Sequence, residues 1–275
     1  MREVLETARI AALAGGAVLD SMHDAFGTVR VKASSIDFVT EADVASGIAV
    51  VRAILERDPG ARFVVEEEEV CDLLGATRGE LGVDDVWLID PLDGTTSYLH
   101  GYPTYSVSVA FVHGIEPVAG AIHNTAAGEL FSAARGLGAT RENVAIHVSE
   151  AAAITDALVI TGFPYDRGEP LDRQLAVLRA FLRAPVHGIR RDGSAAVDRC
   201  HVAAGRADGF WEYALRPWDM AAGVIICAEA GGVVTDVTGT PWTVERDSIL
   251  AANPRLHAEM LSLIRSAGTA LPALR

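Results

Sequence analysis

Between positions 87 and 96 the chain reads Trp87-Leu88-Ile89-Asp90-Pro91-Leu92-Asp93-Gly94-Thr95-Thr96, an apolar run that ends in two carboxylates and a Gly-Thr turn. Hard divalent cations take oxygen ligands of this kind. Pro91 fixes the backbone between the acids, and Gly94 permits a tight turn whose N–H groups can face a phosphate. The same residues also suit a plain capped turn, in which Asp90 or Asp93 bonds local backbone and Thr95 opens a helix.

Further acids bear on that choice. Glu66, Glu67, Glu68 and Glu69 follow Phe63-Val64-Val65, so Glu66 and Glu67 leave an apolar run as Asp90 does. Glu68 and Glu69 are expected to face water, as charge runs do. Asp43, in Thr40-Glu41-Ala42-Asp43, and Asp219, in Pro217-Trp218-Asp219-Met220, each fit the first turn of a helix, where the macrodipole stabilises a carboxylate. Glu212 closes Gly209-Phe210-Trp211-Glu212, where a plain surface acid is one reading and the flanking aromatic residues speak for another.

The elements that must position these groups follow from pattern. Residues 2–26 carry small and apolar side chains at helical spacing, and a second helix follows Thr40, whose hydroxyl can cap it. Residues 62–65 and 86–89 read as short strands stopping at acids. Runs at 105–112, 117–122 and 129–134, separated by His113-Gly114 and Ala127-Gly128, predict an antiparallel meander. After about 148 the pattern becomes α/β, with strands at 158–161, 209–212 and 233–236 and helices over 171–183, 193–205 and 217–230. Two halves are expected, 1–147 carrying most of the acids and 148–275 carrying Asp219, packed together without a flexible linker.

The net charge of −14 over 275 residues argues against nucleic acid and anionic membranes as partners. It would also repel a phosphorylated substrate unless bound cations reverse the local sign, so the acidity asks for metal. Cys71, Cys200 and Cys227 are odd in number and lack CxxC spacing, which suggests neither disulfides nor zinc and fits a reducing cytoplasm. Residues 10–19 could pass for a secretory apolar region, but Glu3 and Glu6 cancel the positive start and favour an amphipathic helix. No run is long enough to span a membrane.

Taken together, the segments 37–43, 87–103 and 218–232 and the Glu66-Glu67 pair resemble the ordered motifs of the inositol monophosphatase family, over nearly the whole chain. The resemblance implies a layered αβαβα sandwich of the sugar-phosphatase type, with an antiparallel sheet in the first half and a mixed one in the second. It implies two or three Mg2+ ions, held by Glu66, Asp90 and the Leu92 carbonyl, and by Asp90, Asp93 and Asp219. Thr95, supported by Asp43 and Glu66, would position or deprotonate the attacking water. The Gly94 and Thr95 amides would meet the phosphate, together with Asp93 and Asp219. Glu212 and the Gly193-Ser194-Ala195 backbone would meet substrate hydroxyls, and Lys32 would assist electrostatically.

The expected substrate is a small phosphorylated polyol, foremost inositol 1-phosphate. Histidinol phosphate, a sugar bisphosphate or a 3'-phosphonucleotide are the alternatives, with a non-catalytic phosphate-binding regulator behind them. A homodimer is implied as well. Val65, Gly47 and Ser97-Tyr98 depart from the family pattern without removing a proposed ligand, and Arg216 adds a possible substrate or interface contact.

Overall fold

The computed structural model describes residues 1–23, 28–31 and 38–269, so Lys32 and the end of the first expected helix lie outside the described residues. Helix α1 (Arg2–Met22) buries Ala8, Ala11, Ala12, Gly15 and Leu19 along one stripe. Strands β1 (Val29–Val31) and β2 (Phe38–Thr40) pair antiparallel and lead into α2 (Glu41–Leu55). Thr40 caps α2 as expected: its hydroxyl accepts from the Ala42 amide, and Asp43 accepts from the Thr40 amide at 2.8 Å.

Strand β3 (Arg62–Val65), helix α3 (Glu69–Leu74), β4 (Thr77–Arg78) and β5 (Val86–Asp93) follow, then the short helix α4 (Thr95–Leu99). Strands β6 (Ser106–His113), β7 (Glu116–Asn124), β8 (Glu129–Ala134), β9 (Ala139–Arg141) and β10 (Val144–Ala145) complete a sheet ordered β10-β9-β8-β7-β6-β5-β3-β4. From β5 to β10 it is the antiparallel meander expected. Beyond β5 it is not, because β3 pairs in parallel with both β5 and β4. The parallel register sets Val65 against Ile89, and the Glu66 amide donates to the Ile89 carbonyl at 3.0 Å. An antiparallel β3 would have carried Glu66 to the opposite end of the sheet from Asp90.

The second half begins with β11 (Leu158–Thr161), α5 (Glu169–Arg183), β12 (Gly188–Arg190), α6 (Ala195–Ala203), β13 (Gly209–Tyr213) and α7 (Pro217–Glu229). Strands β14 (Val233–Thr235) and β15 (Ser248–Ala252) and helix α8 (His257–Thr269) end it. Its mixed sheet runs β12-β11-β13-β15-β14.

Three apolar clusters show five layers. One joins α1 and α2 to the first sheet, a second joins that sheet through α6 and α7 to the second sheet, and a third seals the second sheet under α5 and α8. The fold is the αβαβα sandwich. Glycine sets the depth of one contact: a Cβ on Gly120 of β7 would lie 2.9 Å from Ala222 Cα of α7, so a side chain there would push α7 off the sheet. The three cysteines are buried and form no disulfide. Among the described residues no helix is long and apolar enough to cross a membrane.

Candidate active site

Strand β5 delivers Asp90 to a buried position, and its register with β6 shifts before Asp93, which pairs with Ser106. Asp90 Oδ1 accepts the Leu92 amide at 3.0 Å, the capped-turn bond anticipated from sequence. The Pro91 carbonyl accepts Ser46 Oγ of α2 at 2.8 Å. Gly94 follows at φ +96°, and a Cβ there would sit 2.9 Å from the Thr104 carbonyl and 3.1 Å from that of Gly193. Only glycine fits, and the turn is thereby seated against the second half of the chain.

Thr95 opens α4, its Oγ1 lying 3.1 Å from Asp43 Oδ1 and 3.2 Å from the Leu92 carbonyl. Asp43 is thus both the capping acid of α2 and a partner of Thr95, one oxygen serving each. Asp93 Oδ2 reaches across to accept Ser194 Oγ at 2.6 Å and the Ala196 amide at 2.7 Å. Asp219, in the first turn of α7, accepts the Arg216 amide on Oδ2 at 2.8 Å. Each of the three site aspartates on β5 and α7 therefore has one oxygen fixed by a backbone amide.

The acids oppose one another. Burial, followed by the charges of Glu66, Asp93 and Asp219, pushes the Asp90 carboxyl well above the usual carboxylate range, and its carboxyl hydrogen-bonds that of Glu66. Burial and the charges of Glu66 and Asp93 raise Asp219 likewise. Burial also raises Asp93, although Ser194 and the Ala196 amide favour its ionised form. Among the described residues no three His, Cys, Asp or Glu side chains are gathered tightly enough to grip an ion. The fit to a hard divalent cation rests on donor chemistry: an all-oxygen set in which Asp90, Asp93 and Asp219 are raised by burial and by neighbouring acids.

Glu67 is buried, whereas Glu68 pairs with Arg78 at 3.0 Å and Glu69 pairs with Arg30, both at the surface as expected of a charge run. Glu212 is no surface acid. It lies buried in β13 with its carboxyl against Gly162, and burial pushes its pKa up to about 8. Near neutral pH it is therefore protonated, a form that can donate a hydrogen bond as well as accept one. Ala195 opens α6 behind Ser194, whose hydroxyl accepts the Val197 amide at 3.2 Å and so caps the helix while binding Asp93.

Two departures from the family pattern have a structural reason. A Cβ on Gly47 would meet Val70 Cγ2 at 2.8 Å and Pro91 Cγ at 3.2 Å, so its absence lets α2 close on the Asp90–Asp93 turn. Tyr98 is buried, donates to the Leu19 carbonyl at 2.7 Å and meets Tyr105 edge to face, tying α4 to α1. Val65 packs in the core beneath Glu66.

Two site neighbours were missed in the sequence. Asp198 is buried with Oδ1 unpartnered among the described residues, and Asp192, Glu212 and Asp93 add to burial in raising it. Arg199 beside it is completely buried. The available signal was an Asp-Arg pair inside an otherwise apolar helical segment.

Fold and site together define a layered αβαβα protein with a carboxylate centre. Residues 1–269 match the model of the inositol monophosphatase family. An inositol-1-monophosphatase of Synechocystis is 39% identical over 93% of this chain and 86% of its own length. A putative Nus factor SuhB of Neisseria meningitidis serogroup B is 37% identical over 96% of this chain and 98% of its own. The structure of inositol monophosphatase from Anabaena superposes with a TM-score of 0.83 at 38% identity, covering 95% of each chain. The chain belongs to the inositol monophosphatase family, whose members are metal-dependent phosphatases of small phosphate esters.

Proposed function

We propose that this protein hydrolyses a small phosphorylated polyol, foremost inositol 1-phosphate, with Mg2+ as its cofactor. The observation that carries the reading is the meeting of Glu66 at the exit of β3, Asp90 and Asp93 of β5 and Asp219 of α7 as one mutually repelling group around the buried Asp90. Glu66, Asp90 and the Leu92 carbonyl would hold one ion, and Asp90, Asp93 and Asp219 a second. When bound, the ions supply charge neutralisation at the phosphate and its leaving oxygen.

The remaining work falls to the chain. Thr95 donates to Asp43, which leaves its oxygen lone pairs to accept from the attacking water and fix its direction. Asp43 and Glu66 stand ready to receive the proton. The Gly94 and Thr95 amides open α4 without an intrahelical partner and bind phosphate oxygens. Glu212 and the backbone at Ala195 hold the alcohol. Magnesium-dependent phosphate release, abolished by chelation and restored by Mg2+, tests the reading; full activity in rigorously metal-free protein would sink it.

Turnover across inositol, histidinol, fructose and nucleotide phosphates decides among substrates. We further propose a cytoplasmic homodimer, which light scattering showing a monomer at working concentration would reject. The name of the Neisseria relative, a putative Nus factor, favours a second reading, a role as such a factor apart from catalysis. A charge of −14 points that role toward protein contacts, with neither nucleic acid nor membrane engaged directly. Loss of any such partnership in a site variant such as Asp90→Asn would instead tie it to phosphatase activity.

A further inference from the structure

Arg199 of α6 is completely buried, yet a guanidinium remains charged in a protein interior. Its Nη2 donates to the main-chain carbonyl of Asp219, and its guanidinium carbon lies 5.3 Å from the centroid of the Phe210 ring. Nε and Nη1 have no hydrogen-bond partner among the described residues. Space for the side chain is made by α7: a Cβ on Gly223 would collide with Arg199 Nε and lie 3.1 Å from its Cβ and Cδ. A leucine or methionine would fill such a space without burying a charge, so packing alone gives no reason for arginine here.

Electrostatics gives one. Asp93, Asp198, Glu212 and Asp219 all feel the Arg199 charge, which favours their ionised forms. Arg199 thus sits behind the acidic centre, anchored to the turn of α7 that carries Asp219, on a side chain that cannot swing away.

We propose that Arg199 is a resident counter-ion that sets metal affinity: it offsets part of the carboxylate charge in the metal-free protein and opposes electrostatically the ion held through Asp93 and Asp219. The proposal rests on the reading of those acids as metal ligands. It makes Arg199 a positioning residue, acting through Asp219 and the field at the centre, never on substrate. The sign of its effect separates it from a structural role. If Arg199 merely supported α7, neutral replacements would displace Asp219 and weaken Mg2+ binding. If it is a counter-ion, they leave the acids unopposed, so the metal-free protein loses stability while Mg2+ binds more tightly.

The test is Mg2+ titration by calorimetry, with thermal unfolding in the presence and absence of Mg2+, on wild type, Arg199→Met, Arg199→Gln and Arg199→Lys. Gln keeps a donor for the Asp219 carbonyl without the charge, and serves as the neutral variant if Met fails to fold. Both neutral variants should bind Mg2+ about fivefold more tightly, unfold at lower temperature when metal-free, and gain more from added Mg2+. Lys, retaining the charge, should stay near wild type in all three. Equal or weaker Mg2+ binding in the folded neutral variants, or a Lys variant that behaves like them, would overturn the proposal while leaving the metal site intact. Absence of Mg2+ binding by wild type would overturn the metal reading itself, and this proposal with it.

Discussion

The two ends of the site are built differently. At the acidic end, Asp90, Asp93 and Asp219 each have an oxygen fixed by a backbone amide, from Leu92, Ala196 and Arg216. Two of those bonds are local turns, two and three residues apart in sequence, so the geometry is written into short segments. At the alcohol end Glu212 is placed by the register of β13 and enclosed by packing, with Gly162 of a distant segment against its carboxyl. The first end is organised by hydrogen bonds that any copy of the motif would make, the second by tertiary burial that tunes a pKa.

The sharpest way to break the comparison is at the acidic end. Asp90→Asn should lower kcat on the order of 10²–10³-fold, because it removes the carboxylate proposed to be shared by both ions. Glu69→Gln should change kcat by less than about twofold, since it loses only a surface pairing with Arg30. Steady-state kinetics on both variants, with circular dichroism to confirm folding, decides this; similar losses would refute the partition of the acids.

A second effect concerns pH. Asp90, Asp219 and Glu212 have carboxyl groups raised above their unfolded values. Above the unfolded range, at about pH 4, the folded protein retains protons the unfolded chain has released, so stability falls as pH rises. For Glu212 that window closes at about pH 8. Mg2+ bound as proposed would relieve the repulsion, and its stabilising effect should grow across the same window. The Mg2+-induced rise in Tm should be about 5 °C larger at pH 8 than at pH 5.5. A rise independent of pH would mean the acids do not form one repelling group.

The same contrast explains what the sequence made legible. Thr40 and Asp43, Asp90 through Thr95, and Asp219 carry turn and cap chemistry over two or three residues, so their local structure could be read, while their proposed role rests on the family resemblance. The parallel pairing of β3 with β5 could not, because strand direction is a long-range choice that apolar runs of four residues do not encode. Short strands such as β12 and β4 lack enough residues for a period, and the charged pair Asp198-Arg199 passed as part of a helix face. Glu212 was legible as a candidate through the family resemblance, but its protonation depends on neighbours that only the fold assembles.

That last point yields the finest prediction. With a pKa of about 8, Glu212 is a neutral acid at pH 6.5, and glutamine reproduces both its shape and its capacity to donate and accept. Glu212→Gln should therefore retain kcat/KM on inositol 1-phosphate within about threefold below pH 7. As pH rises through 8 the wild-type carboxyl ionises and becomes a charge-assisted acceptor for adjacent hydroxyls, a change the variant cannot undergo. The wild-type preference for inositol 1-phosphate over a simple aryl phosphate should then increase with pH, while that of the variant stays flat. Taking the ratio of the two substrates cancels the titration of the metal ligands, which act on the phosphate common to both. Parallel ratios from pH 6 to 9 would place the ionisation of Glu212 outside substrate recognition, and would make the alcohol end, like the acidic end, a matter of fixed hydrogen bonds.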